Sequence, residues 1–303
     1  MEKINKEVIK EKFKTIQDHI CGELEDEDGQ GRFISDEWQR TQGGGGTTRV
    51  MKNGNIIAKG GVAFSAVDGP TPEKILKKLK LEKADFFATG VSIVIHPISP
   101  LVPIIHMNIR YFEMSNGTYW FGGGIDLSPH YIDTDDAQYF HRQLKDLCDS
   151  YHPDYYPRFK TWADDYFYIP HREETRGVGG IFFDRLMADA DMPFPKLLSF
   201  LEEVGYLFPK IYRYFMNKHS AKPYGEKELQ WQALRRGRYV EFNLVWDAGT
   251  KFGLDTNGRT ESILMSMPPL ARWEYNQTPE PGSAEALTLD RLKKGVDWIN
   301  AAK

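Results

Sequence analysis

The stretch IIHMNIRYFE, residues 104–113, carries His106, Asn108 and Arg110 at alternate positions, with Ile105, Met107, Ile109 and Tyr111 at the positions flanking them. A period of two sends successive side chains to opposite faces of an extended chain, so the segment reads as a half-buried strand. The segment just before it, VSIVIH, alternates likewise: Val91, Ile93 and Ile95 on one face, Ser92, Val94 and His96 on the other. Three prolines in the connecting PISPLVP cannot donate to a ladder and force a turn. Paired as a hairpin, the strands gather Ser92, His96, His106, Asn108 and Arg110 on one polar face with apolar residues behind.

Further strands are expected at residues 60–65, 90–96 and 104–112, and at 118–126, where TYWFGGGID runs into a glycine-rich corner. A second strand group is expected from the β-branched and aromatic residues of GRYVEFNLVWD (237–247) and RTESILMSM (259–267). Apolar stripes at helical spacing predict helices over 4–22, where Ile9, Phe13, Ile16 and Ile20 align, and over 136–150, 156–166, 195–218 and 226–235. TPEPGS reads as a turn into a last helix. Strands toward both ends, helices between and no βαβα alternation argue for one α+β domain over residues 1–303, a mostly antiparallel sheet covered by helices.

QGGGGTTRV, residues 42–50, lacks the Gly-Lys-Ser/Thr ending of a phosphate loop and reads as a mobile loop or lid. RGVGGIFFD, residues 176–184, is a second glycine-rich corner without the dinucleotide-binding pattern. The charge balance, 39 Lys and Arg against 43 Asp and Glu for a net −4 with no basic block, speaks against nucleic-acid partners. No run of about 18 apolar residues appears, so integral membrane association is not expected. MEKINKEVIKEKF has no apolar leader segment, and the chain reads as cytoplasmic. Cys21 and Cys148 lack zinc or disulfide spacing and read as reduced thiols.

Arg110, beside glycine-rich segments, suits a ligand carboxylate because its planar fork binds two oxygens at once. Asp126, after three glycines, stands where a ligand can approach the backbone closely, or where a carboxylate caps a turn. The eight histidines contain no HExxH or HxH spacing, which leaves metal binding and proton transfer both open for His96 and His106.

Five long motifs, IIHMNIRYFE, WFGGGIDLSP, HREETRGVGGIFFD, RRGRYVEFNLVWD and TESILMSMPP, in this order, resemble the oxygen-dependent coproporphyrinogen III oxidase family. The resemblance extends from QRTQGGGGTTRV to ARWEY, and it implies a flat, about seven-stranded antiparallel sheet sandwiched between helices in a homodimer. It implies oxidative decarboxylation of two propionates of coproporphyrinogen III to vinyl groups, giving protoporphyrinogen IX with consumption of O2 and release of CO2. Arg110 and Asp126 match the residues central to catalysis, and His106 matches a proton donor. Ser92, Asn108, Ile109, Arg110, Asn257, Gly258 and Arg259 match substrate-binding positions. His96, His106, His141 and His171 match proposed divalent-metal ligands, and about 239–274 matches a dimer-contact segment. Asp247-Ala248-Gly249 departs from the family's Asp-Arg-Gly turn, and Asn257 stands where a second glycine is common.

The implied substrate carries four propionates and four pyrrole N–H donors. Arg110 suits a propionate, and an ionised Asp126, an acceptor only, suits a pyrrole N–H. An electron-rich pyrrole reacts with O2 once its N–H proton begins to leave, so no flavin, haem or nicotinamide is expected. Two rivals remain at this level: a carrier that binds an acidic tetrapyrrole unchanged, and a metal-dependent oxygenase using the four histidines.

Overall fold

The computed structural model describes residues 5–71, 76, 82–255 and 258–301. Its centre is a seven-stranded, fully antiparallel sheet of β1 (Ile34–Gln39), β2 (Gly44–Lys52), β3 (Ile57–Pro70), β4 (Asp85–Pro97), β5 (Ile104–Met114), β6 (Tyr119–Ser128) and β9 (Gly179–Leu186), in that spatial order. Between β6 and β9 the chain leaves the sheet for two helices and a short ribbon, β7 (Tyr168–Ile169) with β8 (Glu174–Thr175).

The alternation read in the sequence divides the sheet into an apolar and a polar face. Ile93, Ile105, Met107, Ile109, Ile125 and Ile181 are fully buried on the first. They pack in one core with helices α1 (Lys6–Asp28), α2 (Thr134–Tyr151), α3 (Tyr155–Tyr166) and α4 (Phe194–His219). In α4, Leu197, Leu201, Val204, Phe208, Ile211 and Phe215 recur at three- and four-residue steps and are all fully buried, the stripe a sheet-covering helix needs.

The opposite face is partly roofed by later residues. Arg236 donates to Pro97 O at 2.6 Å, Ser262 meets Thr48 at 2.6 Å, and Lys59 donates to Met267 O at 2.7 Å. The sheet is therefore sandwiched. Among the described residues no helix is long and apolar enough to cross a membrane.

The strands expected over 237–247 and 259–267 are not strands. Helix α5 (Glu226–Glu241) starts where the Glu228 carboxylate accepts the Gly225 N–H at 2.7 Å and runs through Gly237. Its buried Trp231, Arg235 and Tyr239, with Phe242 beyond, recur at helical spacing, and that face packed on the sheet outweighs the local β-propensity of Tyr239, Val240 and Phe242. A π turn, Phe242–Trp246, follows, then α6 (Ala248–Asp255) and α7 (Thr260–Leu264). All seven strands are thus complete by Leu186. The proposed lid is also corrected: Gly44–Lys52 is strand β2, hydrogen-bonded on both edges, by β1 and by β3. Pairing on both sides satisfies backbone groups that a loop would leave to water. The last helix, α8 (Ala284–Arg291), begins at Ser283, whose hydroxyl caps Ala286 N at 3.2 Å.

Candidate active site

The register between β4, β5 and β6 assembles the polar face residue by residue. Ser92 stands opposite Asn108, His106 opposite Asp126, Asn108 opposite Gly124 and Arg110 opposite Gly122. Opposed residues of antiparallel strands share a face, so the hairpin inferred from the sequence does bring Ser92, Asn108, His106 and Arg110 together, and β6 adds Asp126. Gly46, Gly61, Gly90, Gly122, Gly124 and Gly180 fall on the same face by register. With the small Ala63, Ser65 and Ser92 they keep side-chain bulk on this face low, and protein side chains already lie over part of it: a Cβ would meet Trp38 at Gly46, Met265 at Gly61 and the side chains of Arg110 and Asp184 at Gly122.

Asp126 is 1% exposed. Its Oδ1 lies 2.7 Å from His106 Nδ1, and Arg176 donates from Nη2 to both carboxylate oxygens at 2.6 and 2.7 Å and from Nε at 3.2 Å. Burial pushes the Asp126 carboxyl up, but the Arg176 guanidinium and the His106 hydrogen bond outweigh it, and the group titrates below the ordinary carboxylate range. Burial works equally against the Arg176 charge, and Asp126 more than restores it. The guanidinium lies 4.5 Å from the Phe167 ring centre and 4.7 Å from those of Tyr239 and Phe242, an aromatic cage that lowers the cost of burying a cation. Asn243, placed by the π turn, accepts from Arg176 Nη1 at 3.0 Å.

An ionised carboxylate has no proton to give, so the 2.7 Å contact requires Nδ1–H on His106, and in the neutral imidazole that leaves Nε2 as an acceptor. The His106 side chain is 21% exposed against 2% for Asp126. The group facing open space is therefore His106. A direct hydrogen bond from a pyrrole N–H to Asp126, expected from the sequence, does not fit this arrangement, because both oxygens already accept from Arg176 and His106.

Arg110 donates to Asn108 Oδ1 at 3.0 Å and to Asp184 Oδ1 at 2.9 Å, and its side chain is 38% exposed. Arg259 lies toward the far edge of the same face, donating to Asp36 of β1 at 2.5 Å and to Ser262 at 3.1 Å. Four strand spacings separate β1 from β5, roughly 19 Å. Gly258 precedes Arg259 there; Asn257 lies outside the described residues. Ile109 is fully buried among the apolar residues behind the sheet, as its odd position in the alternation demands, so its side chain does not reach the polar face.

The four histidines matched to metal ligands do not converge. His96 is fully buried and its Nε2 meets Ser266 O at 2.8 Å; burial holds its pKa well below the ordinary value. His141 uses both nitrogens, with Tyr156 Oη and Val178 O at 2.9 Å each, and burial pushes it down to about 4. His171 meets Glu241 at 2.8 Å and accepts from Trp246 Nε1 at 2.8 Å. Among the described residues no three His, Cys, Asp or Glu side chains are grouped as a metal ion requires. These residues do not fit a four-histidine centre.

Sequence reasoning missed Arg176, Asn243 and Asp184. Arg176 sits inside the RGVGGIFFD motif read only as a glycine corner. Its partner is fifty positions upstream, and nothing local distinguishes it from other arginines.

The coproporphyrinogen III oxidase family model matches residues 8–298. The oxygen-dependent coproporphyrinogen-III oxidase of Synechococcus sp. (strain CC9605) is 47% identical over 95% of this chain and 86% of its own. Those of Synechococcus sp. (strain CC9902) and Parasynechococcus marenigrum (strain WH8102) are 47% and 46% identical, over 94% and 95% of this chain and 85% of theirs. With a family model spanning nearly its whole length and such relatives, this chain belongs to the coproporphyrinogen III oxidase family.

Proposed function

We propose that this chain converts coproporphyrinogen III to protoporphyrinogen IX by oxidative decarboxylation of two propionates, with O2 as co-substrate. The observation that carries the reading is the polar sheet face on which Arg110 lies toward one side, Arg259 toward the other and the part-exposed His106 beside Asp126 between them. A tetrapyrrole with carboxylates at its rim and N–H donors at its centre matches a face with cations at its sides and an acceptor between them.

Each conversion turns –CH2–CH2–COO⁻ into –CH=CH2 and CO2, passes two electrons to O2 and takes up one net proton, so reduced oxygen leaves at the level of peroxide. Arg110, with Asn108 and Ser92, binds and orients a propionate. His106 Nε2 accepts a proton as the pyrrole N–H is lost to the developing oxidation and passes it to the reduced oxygen, whose second hydrogen comes from the propionate CH2 next to the ring; the one net proton taken up restores the pyrrole N–H as CO2 leaves. Asp126 fixes the tautomer that makes this possible, and Arg176 keeps Asp126 ionised. The protein thus supplies orientation and electrostatics.

Aerobic incubation with freshly reduced coproporphyrinogen III, against an anaerobic control, tests the proposal by chromatography of the oxidised products. Vinyl product formed only in air supports it; substrate bound and returned unchanged makes the protein a carrier. Activity lost on chelation and restored by metal would move the chemistry to the metal-dependent rival. Arg110→Ala is expected to lower kcat/KM about 10- to 150-fold, the value of a charge-assisted pair. Wild-type kinetics in that variant would exclude the clamp.

The proposal includes a homodimer through residues 239–274. Leu244, Val245, Trp246, Leu270 and Trp273 are between 42% and 64% exposed along that segment, large apolar side chains of the kind a subunit contact would cover. Sedimentation equilibrium is expected to give a dimer that Val245→Glu with Leu270→Glu splits; a monomeric wild-type protein at micromolar concentration rejects it.

A further inference from the structure

We infer that Asp184 is an internal competitor for Arg110, holding the guanidinium where a substrate propionate binds and reclaiming it once that propionate has been lost as CO2. The inference rests on the function proposed above and adds a residue to the substrate-binding site. Asp184 presents to Arg110 the same chemical group as the substrate, a carboxylate 2.9 Å from Nη2, and the two side chains are 34% and 38% exposed. An incoming carboxylate can reach this pair and displace one half of it. The Asn108 contact on the other terminal nitrogen, Nη1, at 3.0 Å holds the fork in place during the exchange.

Three features build this contact. A Cβ on Gly122 would stand 2.7 Å from Asp184 Oδ1, 2.8 Å from Arg110 Nε and 3.0 Å from its Cζ, so the ion pair lies flat across β6 only because residue 122 has no side chain. The register between β6 and β9 shifts here, from Gly123 opposite Phe183 to Phe121 opposite Leu186, which leaves Asp184 and Arg185 both facing Gly122. Such a bulge re-aims side chains. Within it Arg185 takes a left-handed backbone, φ 49°, which residues other than glycine rarely adopt. A regular strand end would need neither the glycine nor the bulge.

The consequence is electrostatic. Before substrate arrives the Arg110 charge is balanced by Asp184, and a bound propionate takes its place. The vinyl product is neutral and leaves the guanidinium without an anion, whereupon Asp184 pairs again. The spent edge of the ring is released and the site is reset for the second propionate.

The test is a double-mutant cycle on the full-length protein, with the Kd for reduced coproporphyrinogen III measured by equilibrium dialysis under nitrogen so that no turnover occurs. Asp184→Asn and Asp184→Ser are each expected to tighten binding about 2- to 5-fold, the value of a half-exposed ion pair. Neither is expected to change Kd when Arg110 is alanine. Unchanged or weaker binding in both variants with intact folding, or equal tightening without Arg110, overturns the inference. Wild-type protein run in air alongside separates the other failure: absence of vinyl product there removes the functional reading itself, whereas product without tightening removes only the role of Asp184.

Discussion

Replacing His106 by glutamine lowers turnover about 10²- to 10⁴-fold, the range for a positioned acid–base group, while anaerobic binding of the reduced substrate stays within about 3-fold of wild type. Glutamine keeps a hydrogen-bonding tip near Asp126 but cannot cycle a proton, so kcat falls and KM does not rise in parallel. The prediction follows from exposure: of the three groups in the Asp126, Arg176 and His106 cluster, only the imidazole reaches the open face. Single-turnover measurement of vinyl product and equilibrium dialysis under nitrogen check the two halves separately. Wild-type turnover in His106→Gln would place proton transfer elsewhere and leave Asp126 and Arg176 as structural groups. A loss of affinity with kcat retained would make His106 a binding residue.

The strand pair at the centre of this site was legible because its information is local. Period-two alternation on both sides of a proline-rich connection predicts the hairpin, and the hairpin alone places Ser92 beside Asn108 and His106 beside Val94. Asp126 reaches His106 by the same logic one strand further on. Arg176 was not legible, since its contact with Asp126 depends on how a two-stranded ribbon and the turn after it return to the sheet. The segment 237–247 misled for a different reason. Tyr239, Val240, Phe242 and Val245 favour strands, yet the apolar and polar residues from Trp231 onward keep a helical period that shows only when the window extends back to the start of α5. The glycines at 43–46 misled because flexibility was read from composition, whereas β2 has partners on both edges.

The same contrast decides the histidines. His96 shares the strand face of His106 by parity, but the roof formed by α5 and residues 260–267 closes over it, and Tyr239 stands edge-on at 5.3 Å. Parity places a side chain on a face without saying what covers that face. His106 is left open because the π turn ends α5 where Asn243 turns to Arg176, and the imidazole keeps a free nitrogen above Asp126.

Arg176→Met is the variant expected to cost most in stability, about 3–5 kcal/mol, because it leaves the Asp126 carboxylate buried without its counter-ion. For a chain of this size the melting temperature falls by roughly 5–8 °C. Activity falls as well, since Asp126 without Arg176 protonates and no longer holds His106 in the Nδ1–H tautomer. The sign with pH separates this from simple loss of packing. In the wild type the Asp126 pKa lies below its unfolded value, so its contribution is fully present above the ordinary carboxylate range and is lost as pH falls through the folded value. In the variant burial is opposed by His106 without Arg176, so the carboxyl pKa rises from its wild-type value and acid removes the penalty. The stability gap between the two proteins is therefore widest near neutral pH and narrows toward acid. The double variant Arg176→Met with Asp126→Leu, which buries no charge, is expected to recover most of the melting temperature and none of the activity, because stability asks only that the site be neutral and packed. A gap independent of pH, or a double variant no more stable than Arg176→Met, would mean that the aromatic cage of Phe167, Tyr239 and Phe242 needs the guanidinium for its own packing. The ion pair with Asp126 would then be a consequence of that packing.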